Sequence, residues 1–176
     1  MAFTTDKPAY LLYDADGDLA KYSKMIDKLK KADVVLFGEL HNNPIAHWLE
    51  LELAKDLAEN KKKTLILAAE MFEADDQLIL DEYLSEQIQD KHLEKEAKIW
   101  DNYKTDYKPL VLLAKEKKLK FVAANIPRRY ASLVAREGLE KLNGLSPEAK
   151  NYIAPLPIEF DKTLPAYAQM FEMMGG

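Results

Sequence analysis

Three short runs of apolar residues constrain the fold of this chain more than any other feature. They are VVLFG at residues 34–38, TLILAAE at residues 64–70 and LKFVAAN at residues 119–125. Helical patterns separate them, and Asn43 followed by Pro44 is typical of the start of a helix. Buried strands that alternate with helices predict a mainly parallel sheet flanked by helices, which is an α/β fold.

A chain of 176 residues can bury one sizeable core, and we predict a single α/β domain over residues 1–176. Residues 1–20 contain Asp16 and Gly17 between apolar residues, which predicts a short N-terminal hairpin. A helical C-terminal part begins at about residue 145 and runs through an amphipathic helix directly to the last residues. We therefore expect this part to be truncated, with a further segment missing or disordered.

The composition excludes several classes of function. The chain has no cysteine, which removes disulfides, thiolate metal sites and thiol nucleophiles. Its net charge is −5 and no basic tract dominates, so we do not expect nucleic-acid binding. No apolar run reaches the length of a membrane span, and the first residues do not resemble a signal peptide.

Each apolar run ends on a polar residue: Glu39, Glu70 and Asn125 respectively. In an open parallel sheet the carboxyl ends of the strands line one edge, and ligands bind in the crevice there. We therefore expect these three side chains, which are far apart in sequence, to converge at a ligand pocket.

Histidines and arginines lie beside the same predicted edge. His41 is two residues from Glu39, so both side chains point the same way in extended chain. His47 lies in the first turn of the next helix, three residues from Glu50, and a neighbouring carboxylate fixes an imidazole's tautomer. Arg128 and Arg129 follow the third run at a helix start, where positive charge is disfavoured unless an anion lies nearby.

The histidines and arginines can also be explained by structural roles that involve no ligand. His47 could be a hydrogen-bonded core histidine satisfied by Glu50, and either arginine could pair with a surface acid. Two acids, an amide and a histidine at three strand ends favour a functional crevice over independent coincidences.

Four stretches resemble successive blocks of the ChaN-like family: GELHNNPIAHW, LAAEMFEADDQ, WDNYKTDYKPLV and AANIPRRYASLVAREG. This family comprises iron-regulated haem-binding lipoproteins of bacteria, within a superfamily that includes the Tiki metalloproteases and the erythromycin esterases. The resemblance covers about residues 34–157. The positions that match the family's shared polar cluster are Glu39, His41, His47, Glu70, Asn125 and Arg128.

The resemblance implies a haem-binding protein of bacterial iron acquisition, working as a homodimer with iron-uptake machinery. It implies the cell envelope, either outer-membrane-anchored or periplasmic, with membrane attachment only through a lipid anchor on a cysteine that this chain lacks. Family members are described as ligating haem through a tyrosine. None of the nine tyrosines in this sequence can be assigned that role, so the axial ligand is left unknown.

Two alternatives remain open, although we expect a binding protein rather than an enzyme. The first is a hydrolase. Glu39, His41, His47 and Glu70 suit a divalent metal such as Zn²⁺ or Mn²⁺, or Glu39, His41 and Glu70 could act without metal, with histidine as the base. The second is that the polar cluster is inherited but idle, with haem bound elsewhere.

Overall fold

The structure, a computed structural model, describes residues 7–60, 64–161 and 163–173. The chain divides after Asn125 into two compact units. The prediction of a single domain over residues 1–176 stays a prediction, and so does that of a truncated C-terminal part.

The first unit contains both helices and strands, and helices make up the regular structure of the second. The strands are β1 (Ile66–Glu73) and β2 (Lys120–Asn125). The helices of the first unit are α1 (Tyr22–Leu29), α2 (Pro44–Ala58), α3 (Gln77–Leu84), α4 (Asp90–Glu96) and α5 (Lys108–Lys117). Those of the second are α6 (Arg128–Glu137), α7 (Pro147–Lys150) and α8 (Pro165–Met173).

The two strands form a parallel sheet flanked by helices, so the predicted α/β fold is confirmed. In register, Ile66 pairs with Lys120 and Ala69 with Ala123, and a bulge then brings Glu73 opposite Asn125. The predicted strands at residues 64–70 and 119–125 are therefore confirmed. β1 continues three residues beyond Glu70, so Glu73 is the acid at its carboxyl end.

The predicted strand at residues 34–38 is wrong. These residues are described, but they pair with no strand in the described parts of the chain. Val34 is 74% exposed and Leu36 is 91% exposed. Strand propensity largely reflects burial and the packing of side chains against neighbouring strands, so an apolar run without them need not form a strand. Two hydrogen bonds hold the chain on either side of this segment. The side-chain amide of Asn60 donates to the carbonyl oxygen of Lys30 before it, and the hydroxyl of Tyr107 donates to the carboxylate of Glu39 after it.

The start of α2 follows the sequence prediction. The side-chain oxygen of Asn43 accepts hydrogen bonds from the backbone N–H groups of Ile45 at 3.0 Å and Ala46 at 3.2 Å. Pro44 occupies the first helical position, where its missing N–H costs nothing. Local chemistry thus fixes where α2 begins and where the side chain of His47 lies.

The core of the first unit packs the sheet against α3, α4 and α5. Leu80, Leu93 and Val111 are completely buried. The ring of Phe72 on β1 meets that of Phe121 on β2 edge to face, with centroids 5.6 Å apart. This contact, together with the backbone ladder, holds the two strands in register.

The N-terminal hairpin is confirmed in its described residues by a single antiparallel bridge between Tyr13 and Leu19. Gly17 lies in its turn with φ of +86°, a conformation that glycine adopts without strain. Residues 1–6 of the predicted hairpin region lie outside the described residues.

In the second unit, the hydroxyl of Ser146 caps α7 by accepting from the N–H of Ala149 at 3.3 Å. This short helix lies at the start of the helical C-terminal part that the sequence predicts from about residue 145. Among the described helices of both units, none has the length and apolarity needed to cross a bilayer.

One residue of the fold offers a direct stability test. Lys118 ends α5 in the left-handed region, with φ of 54° and ψ of 40°. Because glycine reaches this region without a Cβ penalty, we expect Lys118→Gly to raise the free energy of unfolding by about 0.5–1 kcal/mol. Urea denaturation measures the change. Lys118→Ala is the control, since it removes the same charge but keeps Cβ. An equal gain in both variants would contradict the backbone explanation.

Candidate functional site

Polar side chains from three segments of the first unit meet at the start of α2. Glu39 and His41 lie in the loop before the helix, and His47 lies in its first turns. The third segment is a π-helical turn, Tyr103–Tyr107, which precedes α5. Three of the residues predicted from sequence are therefore brought together.

The carboxylate of Glu39 is the centre of this group. Its Oε1 accepts a hydrogen bond from the hydroxyl of Tyr107 at 2.7 Å and lies 2.9 Å from Nδ1 of His41. Its Oε2 lies 3.0 Å from Nδ1 of His47. The Glu39 side chain is only 8% exposed, so these neighbours replace most of its water. Burial, and then the hydrogen bond to Glu39, raise the pKa of Tyr107.

His41 presents an oriented imidazole to solvent. Because a carboxylate oxygen can only accept, the proton of the His41–Glu39 hydrogen bond lies on Nδ1 of the histidine. The other ring nitrogen, Nε2, then carries a lone pair. The His41 side chain is 46% exposed, and its ring meets that of Trp100 edge to face at 4.9 Å. This arrangement suits a ligand to iron or a general base.

His47 has the opposite tautomer and is buried. Its Nε2 donates to the backbone carbonyl oxygen of His41 at 3.0 Å, so the neutral ring has its lone pair on Nδ1. The same carbonyl oxygen accepts from the side-chain amide of Asn102 at 2.8 Å. Asn102 also donates to Asp106 at 2.8 Å, which places a further carboxylate 3.8 Å from Nε2 of His47.

Glu50 completes the buried side of the group. Its Oε2 lies 3.8 Å from Nδ1 of His47, which agrees with the neighbour relation predicted from their spacing on the helix. Burial, and then the charge of Glu39, raise the pKa of Glu50 to about 7. One ligand atom each from Glu39, His47 and Glu50 lies within 4.8 Å of the others, a grouping that could hold a metal ion.

Two predicted pocket residues lie on the sheet. Glu70 is an exposed residue of β1, and the hydrogen bonds and ion pairs described for Glu39, His41 and His47 do not include it. Asn125 ends β2 opposite Glu73. Their membership of the ligand pocket stays a prediction.

Arg128 and Arg129 belong to the second unit, where both are exposed in the first turn of α6. The guanidinium of Arg129 lies over the ring of Tyr130, 4.5 Å from its centroid. Their proposed place in the pocket also stays a prediction.

Sequence reasoning missed Tyr107, Asn102 and Asp106. The signal was present, because Asn102 and Asp106 are four residues apart in a polar and aromatic stretch, WDNYKTDYKPLV. π-Helical turns of this kind occur frequently at functional sites.

A second polar cluster, which the sequence analysis also missed, lies at the end of β1. Nζ of Lys98 lies 3.0 Å from the buried carboxylate of Glu73 and 2.8 Å from that of Asp75. The backbone N–H of Lys98 donates to Asp76 at 3.0 Å. The cluster fastens the end of β1 to the segment that leads to Trp100, and a structural role accounts for it.

The pKa of Glu50 gives a prediction for stability against pH. Folding raises this pKa, so the folded state holds the proton more tightly than the unfolded chain. Glu50 therefore lowers the free energy of unfolding as pH rises from its ordinary pKa toward about 7. We expect Glu50→Gln, measured with a chelator present, to remove this decline and to be the more stable protein at about pH 8.

Chemical denaturation between about pH 5 and pH 8 tests this expectation. Glu52→Gln is the matched control, because Glu52 lies on the same helix and pairs with Lys55 at 2.8 Å on the surface. The same pH slope in the wild-type protein and in Glu50→Gln would contradict it.

Comparison with known proteins identifies the family of this chain. The family model described as haem-binding uptake, Tiki superfamily, ChaN matches residues 25–176. No curated protein and no solved structure matches the chain. The match covers most of the chain and includes the loop and helix that carry Glu39, His41 and His47. The chain therefore belongs to the ChaN family of haem-binding uptake proteins within the Tiki superfamily.

Proposed function

We propose that this protein binds haem for bacterial iron acquisition and that His41 supplies the axial ligand. The observation that carries the proposal is the half-exposed imidazole of His41, held through Nδ1 by Glu39 so that Nε2 carries the available lone pair. Membership of a haem-binding uptake family supports the general role. Bound haem supplies the iron itself, which the chain has only to hold and release.

The described residues fit the needs of haem at this loop. A porphyrin requires an apolar surface beside its ligand. Leu36 is 91% exposed and Leu40 is 72% exposed, and both lie within five residues of His41. Such a concentration of exposed apolar side chains indicates a binding surface. Glu39 supports the ligand from behind, since a carboxylate on Nδ1 orients an imidazole and makes Nε2 a stronger donor to iron.

His47 and the start of α2 fit haem less well. His47 is 5% exposed, and its Nε2 is already bound to the carbonyl oxygen of His41. The N–H groups of Ile45 and Ala46 at the start of α2 donate to the side chain of Asn43, so they are not available to hold a propionate. Arg128 and Arg129, in the second unit, stay candidates from the sequence for binding an anionic group.

The cellular setting follows from the family's uptake role. We propose a location in the cell envelope, a partnership with iron-uptake machinery and a homodimer as the working form. A lipid anchor outside this chain would provide membrane attachment.

A hemin titration of the purified protein tests the proposal. We expect a Soret band that saturates at about one haem per chain or per dimer, with the spectrum of a histidine ligand. Replacing His41 by alanine removes the only imidazole with a free and accessible nitrogen in this group, so we expect it to weaken binding by about tenfold or more.

His92→Ala is the control, because His92 lies on α4 and caps that helix rather than joining the site. Absence of a Soret band in the wild-type protein would contradict haem binding itself. A tyrosinate spectrum that His41→Ala leaves unchanged would contradict the assignment of the ligand but not of haem.

The same dyad favours one second candidate, a hydrolase without metal. A carboxylate that orients a solvent-exposed imidazole is the arrangement of a general base acting on water. In this alternative His41 takes the proton from water and Glu39 stabilises the imidazolium. Glu70, predicted beside them as a further acid, has no described contact with either.

Chromogenic ester hydrolysis distinguishes this candidate from simple binding. If the dyad is catalytic, His41→Gln should lower kcat by about 10²-fold or more, because general base catalysis contributes at least this much. Glu39→Gln should shift the pH profile, and His92→Ala should match the wild-type protein. A wild-type rate no greater than that of His41→Gln would remove the hydrolase from consideration.

A further inference from the structure

Two buried polar atoms face each other beside α2. Oε2 of Glu39 and Nδ1 of His47 are 3.0 Å apart, yet their directions do not meet the geometry of a hydrogen bond. Within the described parts of the chain, neither atom has any other hydrogen-bond partner. Two buried polar atoms without partners are costly, and such a pair requires an explanation.

The tautomer of His47 explains why a positive species is needed. Its Nε2 donates to the carbonyl oxygen of His41, so Nδ1 presents a lone pair. Carboxylate oxygens of Glu39 and Glu50 present lone pairs as well. Three potential ligand atoms therefore converge within 4.8 Å of one another, and a single cation between them would attract all three.

A proton on Nδ1 of His47 accounts for the geometry of the Glu39–His47 pair less well than a metal ion does. A proton on Nδ1 would satisfy one carboxylate oxygen through a linear hydrogen bond, and the Glu39–His47 pair lacks that alignment. A metal ion accepts lone pairs from several directions at once and can take Glu50 as a third ligand.

We propose that Glu39, His47 and Glu50 bind a divalent transition-metal ion such as Zn²⁺ or Mn²⁺. One imidazole and two carboxylates form a mixed nitrogen and oxygen set, which these ions accept. The set differs from the one expected from sequence, because His41 is not among the residues whose ligand atoms lie together and Glu70 has no described contact with the group.

The surroundings of the three ligands have the features of a supported metal site. Tyr107 donates to the other oxygen of Glu39 and so fixes its carboxylate plane. The carbonyl oxygen of His41 binds the far nitrogen of His47, as outer partners of ligating histidines generally do. Asn102 holds that carbonyl oxygen in turn. These bonds leave Oε2 of Glu39 and Nδ1 of His47 facing the proposed ion.

The test uses haem-free protein stripped with a chelator and then titrated with ZnCl₂ or MnCl₂ alone. We expect about one ion per chain by calorimetry and by metal analysis after gel filtration, with a rise in the thermal midpoint. Glu50→Gln and His47→Gln should each weaken binding by tenfold or more, whereas Glu52→Gln and His92→Ala should bind like the wild-type protein.

If His47→Gln does not fold, the Glu50→Gln variant alone decides whether these residues bind the metal ion. The Glu50 side chain makes few other contacts with the loop, so this variant is expected to fold. Failure of the wild-type protein to bind either ion would overturn the proposal, as would full binding by Glu50→Gln. Hemin titration of Glu50→Gln separates the two sites, since haem binding through His41 should remain. Loss of both would mean that Glu50 supports the loop rather than a metal ion.

Discussion

The buried carboxylate of Glu39 is the interaction on which the site depends. An ionised carboxylate that loses its water needs donors in return, and here His41 supplies one from nearby in the sequence and Tyr107 supplies another from far along the chain. Tyr107 is 68 residues away, at the entry to α5. The contact therefore joins the loop before α2 to a second helix and fixes the carbonyl oxygen of His41 where His47 and Asn102 reach it.

Local chemistry explains what could be predicted from the sequence. The cap of α2 by Asn43 follows from the preference of helix starts, and the parallel pair of strands follows from apolar runs separated by helices. The register of the two strands could not be predicted in the same way. A bulge after Ala69 carries β1 on to Glu73, and no periodicity in the sequence reveals where a ladder ends. The hydrogen bond between Glu39 and Tyr107 also could not be predicted from the sequence, because it depends on the packing of α5 against α2.

The two oxygens of Glu39 divide the site into two parts. Oε1 orients His41, whose free nitrogen faces outward, whereas Oε2 faces His47, whose free nitrogen faces inward. The two histidines hold their protons on opposite nitrogens because their acceptors lie on opposite sides of the rings. One carboxylate can thus support an external ligand and an internal cation without either competing for the same lone pair.

In the proposed haem complex, the exposed apolar segment before Glu39 would couple ligand binding to this arrangement. Residues 34–38 form no ladder, so their conformation relies on the anchors at Lys30 and Glu39 rather than on the sheet. A porphyrin that covered Leu36 and Leu40 would bury apolar area worth about 25 cal/mol per Å². That gain stabilises the same conformation in which Glu39 holds His41. In the proposed complex, haem binding and this conformation of the loop would therefore favour each other.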